Sequence, residues 1–163
     1  MKRRTVLKQL SAGAAALALP AWAQSRALVI GQSAAFSGPA AQLGIQLNAG
    51  ARLYFDQLNA AGGINGHQIE LRTADDGYEP DRCKANTDKF IKDDAFALLG
   101  YVGTPTCAAA LPLVNDAKIP FFGPFTGAEI LRDPVSKWVF HLRASYYDET
   151  ELIVKQLTSL GLN

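Results

Sequence analysis

A doubly wound α/β fold is predicted by two observations. Strand-like apolar runs alternate with helix-periodic stretches along most of the chain, and residues 36–66 read as a loop, a long helix and a glycine turn set between two such runs. The run Ala27-Leu28-Val29-Ile30-Gly31 is short, apolar and bounded by turn residues, as a strand buried inside a parallel sheet should be. Pro39 suits a first helical turn, where its missing N–H costs nothing, and Ser37 or Gly38 can supply the flanking cap. Leu43, Leu47, Ala51, Tyr54 and Leu58 then recur at spacings of three and four, which predicts one helical face packed on a sheet. Gly62 and Gly63 permit the left-handed conformation that stops a helix, and Gly66 permits the turn into a strand over 68–75. The unit is β-α-β.

The alternation continues with helix over 81–92, strand over 96–102, helix over 106–117, strands over 120–122 and 139–143, and helix over 147–160. Pro112 inside the third helical stretch predicts a kink or an early end. With right-handed crossovers and the first strand inside the sheet, the helices after strands two and three lie side by side on one face. Their N-termini then sit at the edge where open parallel sheets bind ligands, outside the carboxyl ends of the strands. The loops at that edge are 33–38, 75–78, 102–106 and 123–127. Thr104, followed by Pro105 and Thr106, is the leading candidate contact there, because a hydroxyl at a helix N-terminus can cap the helix or share that work with a ligand carboxylate.

Lys2, Arg3, Arg4 and Lys8 precede the apolar run 10–19, which is followed by Pro20-Ala21-Trp22-Ala23. This is the pattern of a signal peptide over residues 1–23 with an A-x-A cleavage site; a run of about ten residues is too short to span a bilayer, which takes about 20. Arg3-Arg4-Thr5-Val6-Leu7-Lys8 resembles a twin-arginine signal, although Lys2 stands where a hydroxyl residue is usual, so twin-arginine and Sec export both remain open. No cysteine follows the cleavage site to carry a lipid, and a soluble periplasmic protein is expected. Of the 16 basic and 15 acidic residues in the chain, the leader holds four basic ones, which leaves a mature net charge of about −3. With no basic stripe and no aromatic-basic interleaving, nucleic-acid binding has nothing to rest on. His67 and His141 have no partners at ligand spacing, so neither metal nor cofactor is expected. An enzyme finds no support either: no G-x-G-x-x-G follows a strand, the 100–106 loop lacks the P-loop lysine, and no G-x-S-x-G elbow occurs.

Four segments taken together resemble the periplasmic substrate-binding proteins of the leucine/isoleucine/valine-binding type. They are residues 36–66, Asp75-Asp76-Gly77-Tyr78-Glu79-Pro80, the run from Leu99 to Thr106, and Ile119-Pro120-Phe121-Phe122-Gly123-Pro124, and their order and spacing agree with the family from about residue 27 to residue 148. The resemblance implies one Rossmann-like lobe of a type I periplasmic binding fold. It also implies capture of a small solute between two lobes and delivery to an ABC permease in the inner membrane. The alternative is a ligand-sensing lobe of a receptor or regulator. The family holds its ligand's carboxylate with a Ser or Thr at the place of Thr104, and grips the α-carboxylate and α-ammonium of an amino acid at the loop 123–127. Amino-acid binders usually put that loop's threonine where this chain has Gly127, with Thr126 one residue earlier, and Leu43 replaces the aromatic that lines the leucine pocket. The ligand expected is therefore a small carboxylate: an amino acid, or an aromatic or aliphatic acid without an amino group. Ser37, Thr104, Thr106, Thr126, Gly127, Tyr146 and Asp148 form the candidate site, the last two because the family's chain crosses to its second lobe there.

Cys83 and Cys107 fall in the first turns of neighbouring helices. Two readings stay open: a disulfide closing a loop of about 25 residues, worth about 3 kcal/mol in the chain-entropy model, or two small buried apolar residues. Some members of the family bridge the same loops at the positions of Tyr78 and Gly103 instead. Asp75 and Asp76 are expected to end a strand and cap a turn. Residues 24–145 form the expected lobe. Residues 146–163 would be the crossover and first helix of a second, with Leu152, Ile153, Leu157 and Leu160 lacking anything to pack on. The chain is accordingly read as a truncated sequence in preference to a genuine single-lobe protein.

Overall fold

The computed structural model describes residues 26–162; the signal peptide expected over residues 1–23 lies outside the described residues. Five parallel strands, β1 (Leu28–Ala34), β2 (Ile69–Asp75), β3 (Ala97–Leu99), β4 (Phe121–Phe122) and β5 (Val139–Phe140), form one sheet in the order β2-β1-β3-β4-β5. Four helices connect or follow them: α1 (Ala41–Ala60), α2 (Pro80–Lys92), α3 (Thr104–Ala117) and α4 (Tyr146–Ser159), with a 3-10 turn at Glu129–Leu131. The chain steps one way from β1 to β2 and the other way from β2 through β3, β4 and β5. With right-handed crossovers this puts α2 and α3 together on one face and α1 on the other. The doubly wound sheet is the predicted fold.

The core lies under α2 and α3, where Phe90, Ala110 and Val114 meet Leu98, Tyr101, Phe121 and Val139 of the sheet and its ends. Tyr101 stands edge-on to Phe121 at 4.9 Å between ring centroids, and its hydroxyl accepts from Thr87 Oγ1, so the largest buried aromatic has its polar tip satisfied. Phe121 and Phe122 show the strand alternation: the first is fully buried on the helix face, whereas the second is exposed on the opposite face and stacks on Phe140 at 4.7 Å. Among the described residues no helix is long and apolar enough to cross a membrane.

Three local expectations are corrected. The face assigned to α1 is only partly seated: Leu43 and Tyr54 are 48% and 63% exposed, and the single buried residue of the helix is Gly44. A Cβ at Gly44 would lie 2.1 Å from the carbonyl oxygen of Ala35, so the helix backbone rests directly on the end of β1 and leans its flanking side chains outward. Ser37 and Gly38 do not cap this helix, whose first residue is Ala41 and whose flanking residue, Ala40, makes no side-chain cap. Pro112 does not end α3 early, since the helix runs on to Ala117. Finally, α4 carries no buried residue at all, with Leu152 66% and Val154 60% exposed, in keeping with a helix that finds no partner in this lobe.

Candidate functional site

The strand order reverses between β1 and β3, and the carboxyl-end loops at such a switch point are where an open parallel sheet offers a crevice to a ligand. Backbone bonds stitch these loops together. Phe125 N donates to Tyr101 O at 2.7 Å, Gly103 N to Phe125 O at 3.4 Å, and Tyr146 N to Gly127 O at 2.7 Å, which joins the loops after β3, β4 and β5. Arg132 locks the same corner from behind, donating through Nη2 to the carbonyls of Arg143 at 2.7 Å and Ala144 at 3.1 Å.

Three of the candidate hydroxyls meet there. Thr104, the first residue of α3, lies with its Oγ1 2.6 Å from Thr126 Oγ1; Thr126 in turn donates to the phenol oxygen of Tyr146 at 3.3 Å and accepts from Ala128 N at 3.1 Å. The hydrogen bonds from Thr126 and Thr104, helped by the nearby Arg143 cation, hold the Tyr146 phenol below its ordinary pKa. Gly127 explains itself in this setting. A Cβ there would lie 2.7 Å from Tyr146 Cδ1, 2.8 Å from Tyr146 N and 3.0 Å from Ala144 O, so the loop has no room for the threonine that the resemblance places there.

The other candidates are used up structurally. Ser37 donates through Oγ to Asp75 Oδ2 at 2.6 Å, while Asp75 Oδ1 accepts from the backbone N–H of Phe36, Ser37 and Gly77 at 2.8, 3.2 and 2.9 Å. Asp75 therefore ends β2 and fastens the first cleft loop, and the Ser37 hydroxyl faces it, not the crevice. Thr106 is fully buried, with its hydroxyl returned to the carbonyls of Val102 and Gly103, so it closes the first turn of α3 and does not reach the cleft. Asp148 forms a capping box with Ser145, accepting from its N and Oγ at 3.1 and 2.7 Å, and is a helix cap in this structure.

Two residues at the site carried no sequence signal. Arg143 lies 5.6 Å from the Phe125 ring centroid and 5.1 Å from that of Tyr146, and is held there by a two-pronged bond to Glu149 at 2.6 Å on each prong. Neither an arginine ending a strand pattern nor a glutamate in a helix turn announces such a pairing; only the loop that brings β5 against α4 makes it.

Cys83 and Cys107 do enter one buried cluster, between α2 and α3, but as free thiols: the bridge considered above is not formed in this structure. Burial pushes the Cys83 thiol up to about 12 and raises that of Cys107 further, so neither supplies the thiolate that exchange requires. The place where the resemblance allows a bridge is filled differently. The Tyr78 ring covers Gly103 so closely that a Cβ there would lie 2.4 Å from Tyr78 Cε2. Thiol titration of protein purified without reductant should find no reactive thiol in the folded state and two after unfolding; none in either state would show that the pair is oxidised.

A model of the family described as periplasmic binding protein matches residues 27–162. The leucine-, isoleucine-, valine-, threonine- and alanine-binding protein of Pseudomonas aeruginosa is 30% identical over 104 residues, 64% of this chain and 28% of that protein. Among solved structures, a possible leucine/isoleucine/valine-binding protein from Rhodopirellula baltica superimposes with a TM-score of 0.80 at 40% identity, covering 85% of this chain and 37% of that one. A solute-binding protein of an ABC transporter from R. palustris, in complex with benzoate, does so with a TM-score of 0.75 at 26% identity, covering 83% and 38%. The chain spans about a third of the length of the curated relatives it matches. These relatives are solute binders, not enzymes. The chain belongs to the periplasmic binding protein family, of the leucine/isoleucine/valine-binding type, and has the fold of one lobe of such a protein.

Proposed function

We propose that this lobe, within the complete protein, captures a small carboxylate-bearing solute in the periplasm and presents it to an ABC permease in the inner membrane. The observation that carries this reading is the meeting of the Thr104, Thr126 and Tyr146 hydroxyls at the crevice, beside the N-terminus of α3. Helix N-termini leave backbone N–H groups unpaired and favour negative charge, and hydroxyls beside them can add donors without adding a charge that would trap the solute. The relatives support a solute of this class: one was solved in complex with isoleucine and another with benzoate. The exposed Phe125 ring in the loop after β4 suits the aromatic and aliphatic acids better than it suits an amino acid's ammonium.

A thermal-shift panel of benzoate, 3,4-dihydroxybenzoate, leucine and isoleucine tests the reading on protein expressed from the complete gene. At least one carboxylate should raise the melting temperature, as any ligand that binds only the folded state must. Thr104→Val should remove that shift while costing the unliganded fold about 1 kcal/mol, the net worth of one lost hydrogen bond. A Thr104→Val protein that retains its ligand response would take Thr104 out of the site, and a preference for leucine or isoleucine over both aromatic acids would overturn the weight placed on Phe125 and Gly127.

A further inference from the structure

Tyr78 stands in a backbone conformation that a side chain of its size rarely takes. Its φ is 70°, in the left-handed region where a bulky residue is an outlier, and Gly77 before it lies there too, at 59°. Two aspartates hold the turn: Asp75 Oδ1 accepts from Gly77 N and Asp76 Oδ1 from Tyr78 N, each at 2.9 Å. Asp76 is fully buried in doing so. Asparagine or glycine would follow the same turn with less strain, so the turn alone does not call for a tyrosine.

What the turn achieves is the placement of a ring. β1 lies between β2 and β3 in the sheet, and Tyr78 reaches from the loop after β2 to the loop after β3, where its Cζ and hydroxyl oxygen lie 2.7 Å from where a Gly103 Cβ would be. Gly103, with φ 99°, is left-handed as well, so two residues outside the ordinary backbone regions meet at this point. Thr104 follows Gly103 directly, and Gly103 N is bonded to Phe125 O. The loop that carries Thr104 therefore touches two partly exposed aromatic residues, Tyr78 at 39% and Phe125 at 41%. Tyr101 and Phe122 are paired with Phe121 and Phe140, whereas the Tyr78 ring pairs with no other aromatic ring among the described residues. Backbone strain of this kind persists where the surroundings over-determine it, and it gathers at ligand sites.

We infer that Tyr78 is a specificity-determining residue of the proposed site: its ring is the wall beside Thr104 against which the ring of an aromatic carboxylate lies. The inference rests on the carboxylate reading above and goes beyond it by choosing the aromatic acids and naming the side chain that selects them. Two aromatic rings in offset or edge-to-face contact gain more than their buried area supplies, and a saturated ring of the same size does not share that gain. Thr104 then answers to the acid group, and Tyr78 to the flat ring attached to it.

The test compares wild-type protein from the complete gene with Tyr78→Asn and Tyr78→Phe. Asparagine removes the ring and suits the left-handed turn better than tyrosine does, so the variant is expected to fold; phenylalanine keeps the ring. Calorimetric titration with benzoate and with cyclohexanecarboxylate, which carries the same charge on a saturated ring, reads the preference between them. Wild type should prefer benzoate, Tyr78→Asn should lose about fivefold of that preference, the scale of one ring–ring contact, and Tyr78→Phe should retain it. A second measurement needs no variant without the ring: in wild type, magnetisation should pass between the protons of bound benzoate and a tyrosine ring resonance that is missing from Tyr78→Phe. A ring that only covers Gly103 would weaken both acids alike when removed. An unchanged preference in Tyr78→Asn, no magnetisation transfer, or a wild type that binds leucine or isoleucine and not benzoate would each overturn the assignment while leaving the carboxylate reading standing. Wild-type protein that ignores every carboxylate offered would overturn both.

Discussion

Replacing Gly103 with alanine should destabilise the lobe by about 3 kcal/mol, among the largest effects of any single methyl group in the chain. Two costs combine. Gly103 flanks the start of α3 with φ 99° and ψ 150°, a conformation essentially reserved for glycine. Its missing Cβ is also the space into which the Tyr78 ring settles, with Cε2, Cζ and the hydroxyl oxygen 2.4 to 2.7 Å from where a Cβ would be. Urea unfolding followed by far-UV circular dichroism gives the loss directly. In a Tyr78→Ala background the ring has gone and only the backbone strain is left, so the same substitution should cost clearly less there, and a double-mutant cycle isolates the difference. Equal costs in the two backgrounds would mean that the ring yields freely and that backbone strain accounts for the whole effect. The contact bears on the proposed site because Gly103 N is bonded to Phe125 O and Thr104 follows it immediately, so a displaced Gly103 moves the hydroxyl cluster with it.

The second large effect is expected at Asp75. Its Oδ1 holds three backbone N–H groups and its Oδ2 holds the Ser37 hydroxyl and Arg82, so Asp75→Ala strands several donors at once and should cost about 2–3 kcal/mol at neutral pH. The carboxyl is held well below the ordinary aspartate value of 3.8, first by the Ser37 hydroxyl and then by the N–H groups and Arg82. A carboxyl whose pKa is lower folded than unfolded stabilises the fold fully above the unfolded value, and that stabilisation fades as the pH drops below about 3.8. Wild type should therefore lose stability between pH 4 and pH 2 more steeply than Asp75→Asn, which keeps an Oδ1 for the three N–H groups but has no proton to bind. Its neighbour runs the other way. Asp76 is fully buried and burial pushes its carboxyl up, so it opposes folding once it ionises, and hydrogen bonds from Tyr78 N–H, the Ser33 hydroxyl and Cys83 offset part of that cost. Parallel acid titrations of wild type and Asp75→Asn that superimpose would remove Asp75 as the anchor of the loop.

Much of the architecture was legible beforehand because it depends on signals that are local in the chain. The strand expected over 27–31 is present and runs on to Ala34, and the helices expected over 81–92 and 106–117 are found at Pro80–Lys92 and Thr104–Ala117; apolar runs and helix-periodic spacing, which set them, act within a few residues. The crossover rule then orders the sheet with little further information, since right-handed connections leave few arrangements. Strand lengths were less legible. The stretch 96–102 pairs regularly only over Ala97–Leu99, because the chain turns at Gly100, with φ 62°, before Val102 rejoins the neighbouring segment at Phe125.

What the sequence determined by itself is the α/β fold, the family, and the loops at the carboxyl edge of the sheet, with Thr104 at the start of α3 among them. The tertiary structure decided which polar residues in those loops are free to act. Ser37, Thr106 and Asp148 look as suitable as Thr104 and Thr126 when read along the chain, yet the first is claimed by Asp75, the second by its own helix and the third by Ser145. Gly127 looks like a lost threonine until the Tyr146 ring is seen in its place. The physical reason is common to all four: a residue takes its meaning from the partner within about 3 Å, and the deciding partners here come from segments up to 38 residues apart in sequence.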